Sequence, residues 1–137
     1  MGIKTKAYVD TSALISFLDQ SDTYYPLFVQ LFADPPPLVT SSLVIAEGHG
    51  WFLKRYDSNR ALQFLGFVST LKALQILPIG SREIKEAEAV LRKFSDQEIS
   101  LADACGLNIM KQNRLKSCWS TDRHLALTGV PLIIHEN

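Results

Sequence analysis

Lys4-Thr5-Lys6-Ala7-Tyr8-Val9-Asp10-Thr11-Ser12-Ala13-Leu14 opens the chain as a strand that turns directly into a helix. Residues 4–9 read as a first strand entering the core, and the apolar spacing of Ala13, Leu14, Phe17 and Leu18 predicts the helix that follows. A strand, an acid and then a helix is the opening unit of an α/β protein. Open α/β sheets bind their ligands just beyond the carboxyl ends of the strands, which is where Asp10 falls. Aspartate is also a good helix N-cap, so Asp10 read alone fits a cap as well as a ligand.

Working outward, Asp22 or Thr23 is the expected cap of a second helix through Leu27, Phe28, Leu31 and Phe32, which Pro35, Pro36 and Pro37 end. Leu38-Val39-Thr40 makes a short strand, and Ser41 or Ser42 caps a third helix carrying Glu47. Ser58 starts a fourth helix along Leu62, Leu65, Val68 and Leu71, and residues 75–79 form a further strand. Ser81 opens an amphipathic helix on Ile84, Ala87, Leu91 and Phe94, whose expected role is packing. Ser100 opens a sixth helix holding Asp103. Residues 116–120 read as a strand ending at Thr121-Asp122, and residues 132–134 as a last one. Strands alternating with helices imply a parallel sheet with helices on both faces. There is no repeat, low-complexity tract or linker, and 137 residues suit one domain, 1–137.

Composition narrows the function. With 47% hydrophobic and 20% charged residues the chain is expected to fold as a soluble globule. Lys plus Arg and Asp plus Glu both number 14, so no bulk charge advertises nucleic acid, and a polyanion needs a local patch or a bound cation. No apolar run approaches the ~20 residues of a membrane span. The amino terminus lacks a secretory signal, which leads to the expectation of a cytoplasmic protein. Cys105 and Cys118 have no metal-type spacing and read as free, buried thiols.

Three further acids join Asp10. Asp122 repeats its arrangement, following a strand and preceding Arg123-His124-Leu125; Glu47 follows the apolar Leu43-Val44-Ile45-Ala46; and Asp103 lies in a first helical turn. Each has a bland reading as cap, helix-dipole partner or solvated charge. Together they come from separate segments and fall at the same edge of one sheet. Unpaired carboxylates held together raise one another's pKa unless a cation neutralises them. Oxygen ligands without Cys or paired His suit Mg²⁺ or Mn²⁺, ions that activate water and stabilise charge on a phosphate. The hydroxyls of Ser12, Ser120 and Thr121 are candidates for orienting the carboxylates, or simply caps. His49, His124 and His135 show no ligand spacing and read as surface or partly buried histidines. Lys54, Arg55 and Arg123 are the basic residues expected nearest the acids, candidate contacts to a polyanion's phosphates or solvated charges; Lys54 follows Glu47 by seven residues, on roughly one helix face.

The four motifs Val9-Asp10-Thr11-Ser12-Ala13, Ser41-Ser42-Leu43-Val44-Ile45-Ala46-Glu47, Ser100-Leu101-Ala102-Asp103-Ala104 and Ser120-Thr121-Asp122-Arg123-His124 resemble, in order and spacing, the PIN domain family. The resemblance is strongest to the VapC-type toxins of toxin–antitoxin modules. It implies a three-layer α/β/α fold with about five parallel strands in the order 3-2-1-4-5. It further implies Mg²⁺ or Mn²⁺ held by Asp10, Glu47, Asp103 and Asp122, with Glu47 either a ligand or an orienter of water, and Ser12 and Thr121 beside the site. An RNA substrate, a cognate antitoxin and a homodimer are implied as partners.

Two departures stand out: Leu125 where the family often has an aromatic, and Gly48 and Gly50 interrupting the Glu47 helix, either for close backbone approach or as a weak helix. The helix from Ser58 is apolar on more than one side, with Phe64 and Phe67 off the Leu62, Leu65, Val68 stripe, so it is buried all round or meets a second chain. The segment of Tyr24, Tyr25, Phe28 and Phe32 poses the same question. The expected function is a metal-dependent endoribonuclease acting as a toxin; the alternative is a PIN-fold module that binds RNA or protein with little or no cleavage. A haloacid-dehalogenase-type phosphatase needs an acid where Ser12 stands, and a ribonuclease-H-like nuclease begins with a strand meander.

Overall fold

A computed structural model describes residues 5–136. Four parallel strands, β1 (Ala7–Val9), β2 (Leu38–Ser41), β3 (Leu74–Leu77) and β4 (Cys118–Trp119), lie in the order β3-β2-β1-β4. Six helices connect and cover them: α1 (Thr11–Leu18), α2 (Tyr25–Ala33), α3 (Ser42–Arg55), α4 (Ser58–Thr70), α5 (Ser81–Lys93) and α6 (Leu101–Gln112). None of these is long and apolar enough to cross a membrane.

The central strands are buried on both faces, and their period of two sorts the core. Ala7, Val9, Leu38 and Trp119 point to one side, where Leu14, Phe28, Phe32, Phe52 and Phe64 close a largely aromatic cluster. Tyr8, Val39 and Cys118 point to the other, against Leu107, Ile109, Met110, Leu125 and Leu132. Phe32 meets Trp119 edge-on at 5.0 Å and Phe17 stacks on Phe67 at 4.6 Å, so Phe67 belongs to this core's margin. Cys105 and Cys118 are both free and buried.

The differences from the sequence expectations have local causes. The expected fifth strand shrinks to one parallel bridge, Leu132 to Cys118, after which Ile133–His135 form a 3₁₀ turn. With β4 only two residues long there is little ladder to extend, and the N–H groups of His135 and Glu136 donate instead to Leu132 and Ile133. The first strand is described only from Ala7; Lys4 lies outside the described residues.

Asp22 and Thr23 do not cap α2. Asp22 Oδ1 takes the Tyr24 N–H at 2.8 Å and the Ser16 hydroxyl at 2.9 Å, making a turn, and α2 begins with Tyr24 as cap and Pro26 in its first turn, where no N–H is required. On α4 the apolar faces are exchanged. Ala61, Phe64 and Val68 go inward while Leu62 is 61% exposed and Leu65 is exposed. Gly48 sets this register: the Phe64 ring occupies the space its Cβ would fill, a position 2.2 Å from the ring. Gly50 meets nothing within 4 Å, so of the two glycines only Gly48 is required by close approach. On α5, Ala87 seats against Ala104 and Cys105 of α6, which turns Ile84 out to solvent.

Candidate metal centre

Asp10 leaves the end of β1 and Asp122 follows β4, its paired neighbour, so the order β3-β2-β1-β4 alone sets these two acids side by side. Glu47 comes from the second turn of α3 and Asp103 from the first turn of α6.

Each acid is anchored through one oxygen. Asp10 Oδ2 accepts the hydroxyls of Ser12 at 2.9 Å and Ser120 at 3.0 Å, and lies 3.5 Å from the Ser12 N–H, a weak cap. Glu47 Oε1 accepts the Thr11 hydroxyl at 2.7 Å. Asp103 Oδ2 accepts the Ser100 N–H at 3.1 Å while Ser100 Oγ accepts the Asp103 N–H at 3.0 Å, a reciprocal cap. Asp122 Oδ1 accepts the His124 N–H at 3.0 Å. The cap reading and the ligand reading of these residues are therefore compatible, because a cap occupies one lone pair of one oxygen and leaves the carboxylate's others.

The serines weave the strand ends together. Ser12 Oγ accepts the Thr121 N–H at 3.0 Å and Ser120 Oγ accepts the Asp122 N–H at 2.9 Å, so Thr121 takes part through its backbone. Sequence reasoning did not single out Thr11 as the support for Glu47; its signal was its place in the Asp10-Thr11-Ser12 run. It also set aside His124, whose Nδ1 lies 3.0 Å from Asp122 Oδ1. One ligand atom each from Asp103, Asp122 and His124 fall within 4.8 Å of one another. The short Asp-x-His spacing in a 3₁₀ turn was the available clue.

Among the described residues, no Lys or Arg pairs with any of the four acids. Their titration registers the cost. Burial pushes the Asp10 carboxyl up to about 6 against the pull of the Ser12 hydroxyl, with the charge of Asp103 adding to the rise. Glu47 is raised by desolvation and by Asp103 and Asp122, and Asp103 by desolvation and by Asp122. Asp103 is thus the hub, electrostatically coupled to the other three. The field reaches inward: burial first, then the charges of Asp10 and Asp122, push the Cys118 thiol well above its ordinary range. The buried hydroxyl of Tyr8 packs against Gly106, and burial followed by the charge of Asp10 raises its phenol too. A set of hard oxygen donors, pre-oriented and without a Lys or Arg partner among the described residues, fits a divalent cation of the Mg²⁺ or Mn²⁺ kind.

The basic candidates lie farther out. Glu47, Trp51, Lys54 and Arg55 share one face of α3. Trp51, Lys54 and Arg55 line a notch of about 460 Å³, and Arg55 also reaches over the Tyr56 ring at 5.8 Å. Arg123 is exposed beside Asp122.

A protein-family model described as PIN domain matches residues 7–130. The chain belongs to the PIN domain family. A relative, Ribonuclease VapC26 of Mycobacterium tuberculosis, is 26% identical over 116 residues, which are 84% of this chain and 85% of that protein. The solved structure of Mycobacterium tuberculosis VapC20, a sarcin–ricin loop cleaving toxin, has a TM-score of 0.82 at 18% identity, covering 91% of this chain and 96% of that one. A toxin–antitoxin complex from Klebsiella pneumoniae contains a chain with a TM-score of 0.61 at 20% identity, covering 92% and 94%. At these identities the two solved structures share the PIN fold with this chain, which matches the α/β architecture expected from the sequence.

Proposed function

We propose that this chain, as one PIN domain over 1–137, is a metal-dependent endoribonuclease and the toxin of a toxin–antitoxin pair. One observation supports the reading: four acids from four segments lie at one sheet edge, each held through one oxygen, and among the described residues none pairs with a Lys or Arg. Asp10, Asp103 and Asp122 would hold Mg²⁺ or Mn²⁺, with Glu47 as ligand or as orienter of water. Bound there, such an ion makes water a better nucleophile and offsets charge developing on phosphate.

The protein's own part is positional. Ser12 and Ser120 fix Asp10, the Ser100 cap fixes Asp103, and Thr11 holds Glu47 by Oε1. Glu47 Oε2 is left to accept the proton of the attacking water as its oxygen bonds to phosphorus, while the P–O bond to the sugar oxygen breaks and that oxygen takes a proton from solvent. Lys54, Arg55 and Arg123 serve the RNA phosphates, and the Trp51 ring beside Lys54 and Arg55 offers a stacking surface for a base.

The cognate antitoxin and a second copy of the chain are the partners of this reading, and exposed Leu53, Leu62 and Leu65 on α3 and α4 offer them apolar surface. The cytoplasm, where RNA and reduced thiols coexist, is its place. The test is cleavage of a structured RNA by the purified chain with Mn²⁺, with Mg²⁺ and with chelator, beside Asp103→Asn. Metal-dependent cleavage lost in the variant is expected. Cleavage that survives the substitution removes the reading, and RNA binding without cleavage under any divalent ion would favour a binding module.

A further inference from the structure

Resting on the metal-centre reading above, the geometry points to a nitrogen ligand that the four acids do not include. We propose that His124 Nδ1 coordinates the cation held by Asp103 and Asp122, and that this imidazole biases the centre toward Mn²⁺ over Mg²⁺. Nδ1 stands 3.0 Å from Asp122 Oδ1, the oxygen that also accepts the His124 N–H and keeps a second lone pair for an ion. Around an octahedral ion with bonds of about 2.1 Å, neighbouring ligand atoms stand about 3.0 Å apart, so the spacing is that of two adjacent coordination positions. Asp103 completes the triad, its ligand atom lying with the other two inside 4.8 Å.

The backbone dictates this placement. Asp122 Oδ1 accepts the His124 N–H at 3.0 Å at the start of the 3₁₀ turn Arg123–Ala126, which folds the side chain two residues on back over the carboxylate. The His124 side chain is only 20% exposed, so little freedom remains to be lost on binding an ion. Carboxylate and water ligands serve Mg²⁺ and Mn²⁺ alike, whereas imidazole favours transition ions. Replacing one oxygen by nitrogen therefore separates two metals that an all-acid site treats similarly. The contrasting role for the same geometry is a positioning one, in which Nδ1–H donates to Asp122 and never touches the ion.

Two measurements on the full chain decide between them. Pulsed electron paramagnetic resonance of the Mn²⁺-loaded protein, with histidine labelled by nitrogen-15, is expected to show nitrogen coupling that disappears in His124→Ala. Calorimetric titration is expected to show Mn²⁺ affinity falling roughly tenfold or more in the variant while Mg²⁺ affinity falls much less. Mn²⁺ that binds, and is lost in Asp103→Asn, without any nitrogen coupling overturns the proposal and leaves the metal-centre reading intact. Equal losses for both metals overturn it in the same way. Failure of the wild-type chain to bind either ion overturns both. Should His124→Ala not fold, His124→Gln carries the same two tests, and a wild-type spectrum without nitrogen coupling overturns the proposal by itself.

Discussion

Trp119, the last residue of β4, and Ser120, the residue just beyond it, are both hidden from solvent, and they belong to opposite physical regimes. The Trp119 ring enters the aromatic cluster, edge-on to Phe32 at 5.0 Å, where burial is favourable in itself. Ser120 enters the polar cluster, donating to the buried Asp10 carboxylate and accepting from the Asp122 N–H. There burial is costly, and hydrogen bonds recover only part of it, as the raised Asp10 carboxyl records. The difference teaches that the aromatic layer supplies the stability that holds the acids in a place they would not choose.

The comparison breaks first at Trp119. Trp119→Ala is expected to lose about 3–5 kcal/mol of unfolding free energy in urea titration, the cost of an emptied aromatic core site. A loss below about 1 kcal/mol would mean that the aromatic side is not what holds the fold.

Asp10→Asn should move the other way in stability while abolishing function. RNA hydrolysis is expected to fall roughly a hundred- to a thousandfold. Metal-free stability above neutral pH should rise by on the order of 1–3 kcal/mol. The sign follows from the direction of the shift: with the folded carboxyl at about 6 and the open-chain value at 3.8, the folded state holds the proton more tightly. The stability due to Asp10 is greatest below the open-chain value and is lost as pH climbs through about 6. Glu47 and Asp103, both raised, act in the same direction. Urea midpoints of wild type and variant from acid to mildly alkaline pH, without metal, should therefore diverge as pH rises; parallel curves would contradict the assignment.

Two glycines of α3 sharpen the contrast at smaller scale. Gly48→Ala must displace the fully buried Phe64 ring, and is expected to cost about 1–3 kcal/mol by thermal or urea unfolding. Gly50→Ala meets open space in mid-helix and should instead gain about 0.5–1 kcal/mol. Equal effects at the two positions would show that neither is set by packing.

Much of this was legible in the chain itself. Strand-to-acid-to-helix at Asp10, and the same pattern at Asp122, announced both the α/β class and the edge where the acids meet. Local chemistry was readable because caps and apolar periods are short-range: Ser100 caps α6 and Ser41 caps α3 as their sequence positions suggest. What failed was decided at a distance. The inward face of α4 could not be read from Leu62, Leu65 and Val68, because the choice rests on Phe64 filling the space above Gly48, sixteen positions earlier in the chain. The last strand read well by composition, yet its partner β4 offers two residues to pair with, so it closes as a single bridge.

The sequence by itself determined which residues carry charge, where the chain turns after each strand, and hence that four acids were available to one sheet edge. Only the tertiary structure decided how each acid is used: one oxygen tied to Ser12 and Ser120, to Thr11, to Ser100 or to His124, and the other left over. The physical reason is that a carboxylate's type is fixed by covalent structure, whereas its burial, its partners and its field belong to residues as far away as Ser12 is from Ser120.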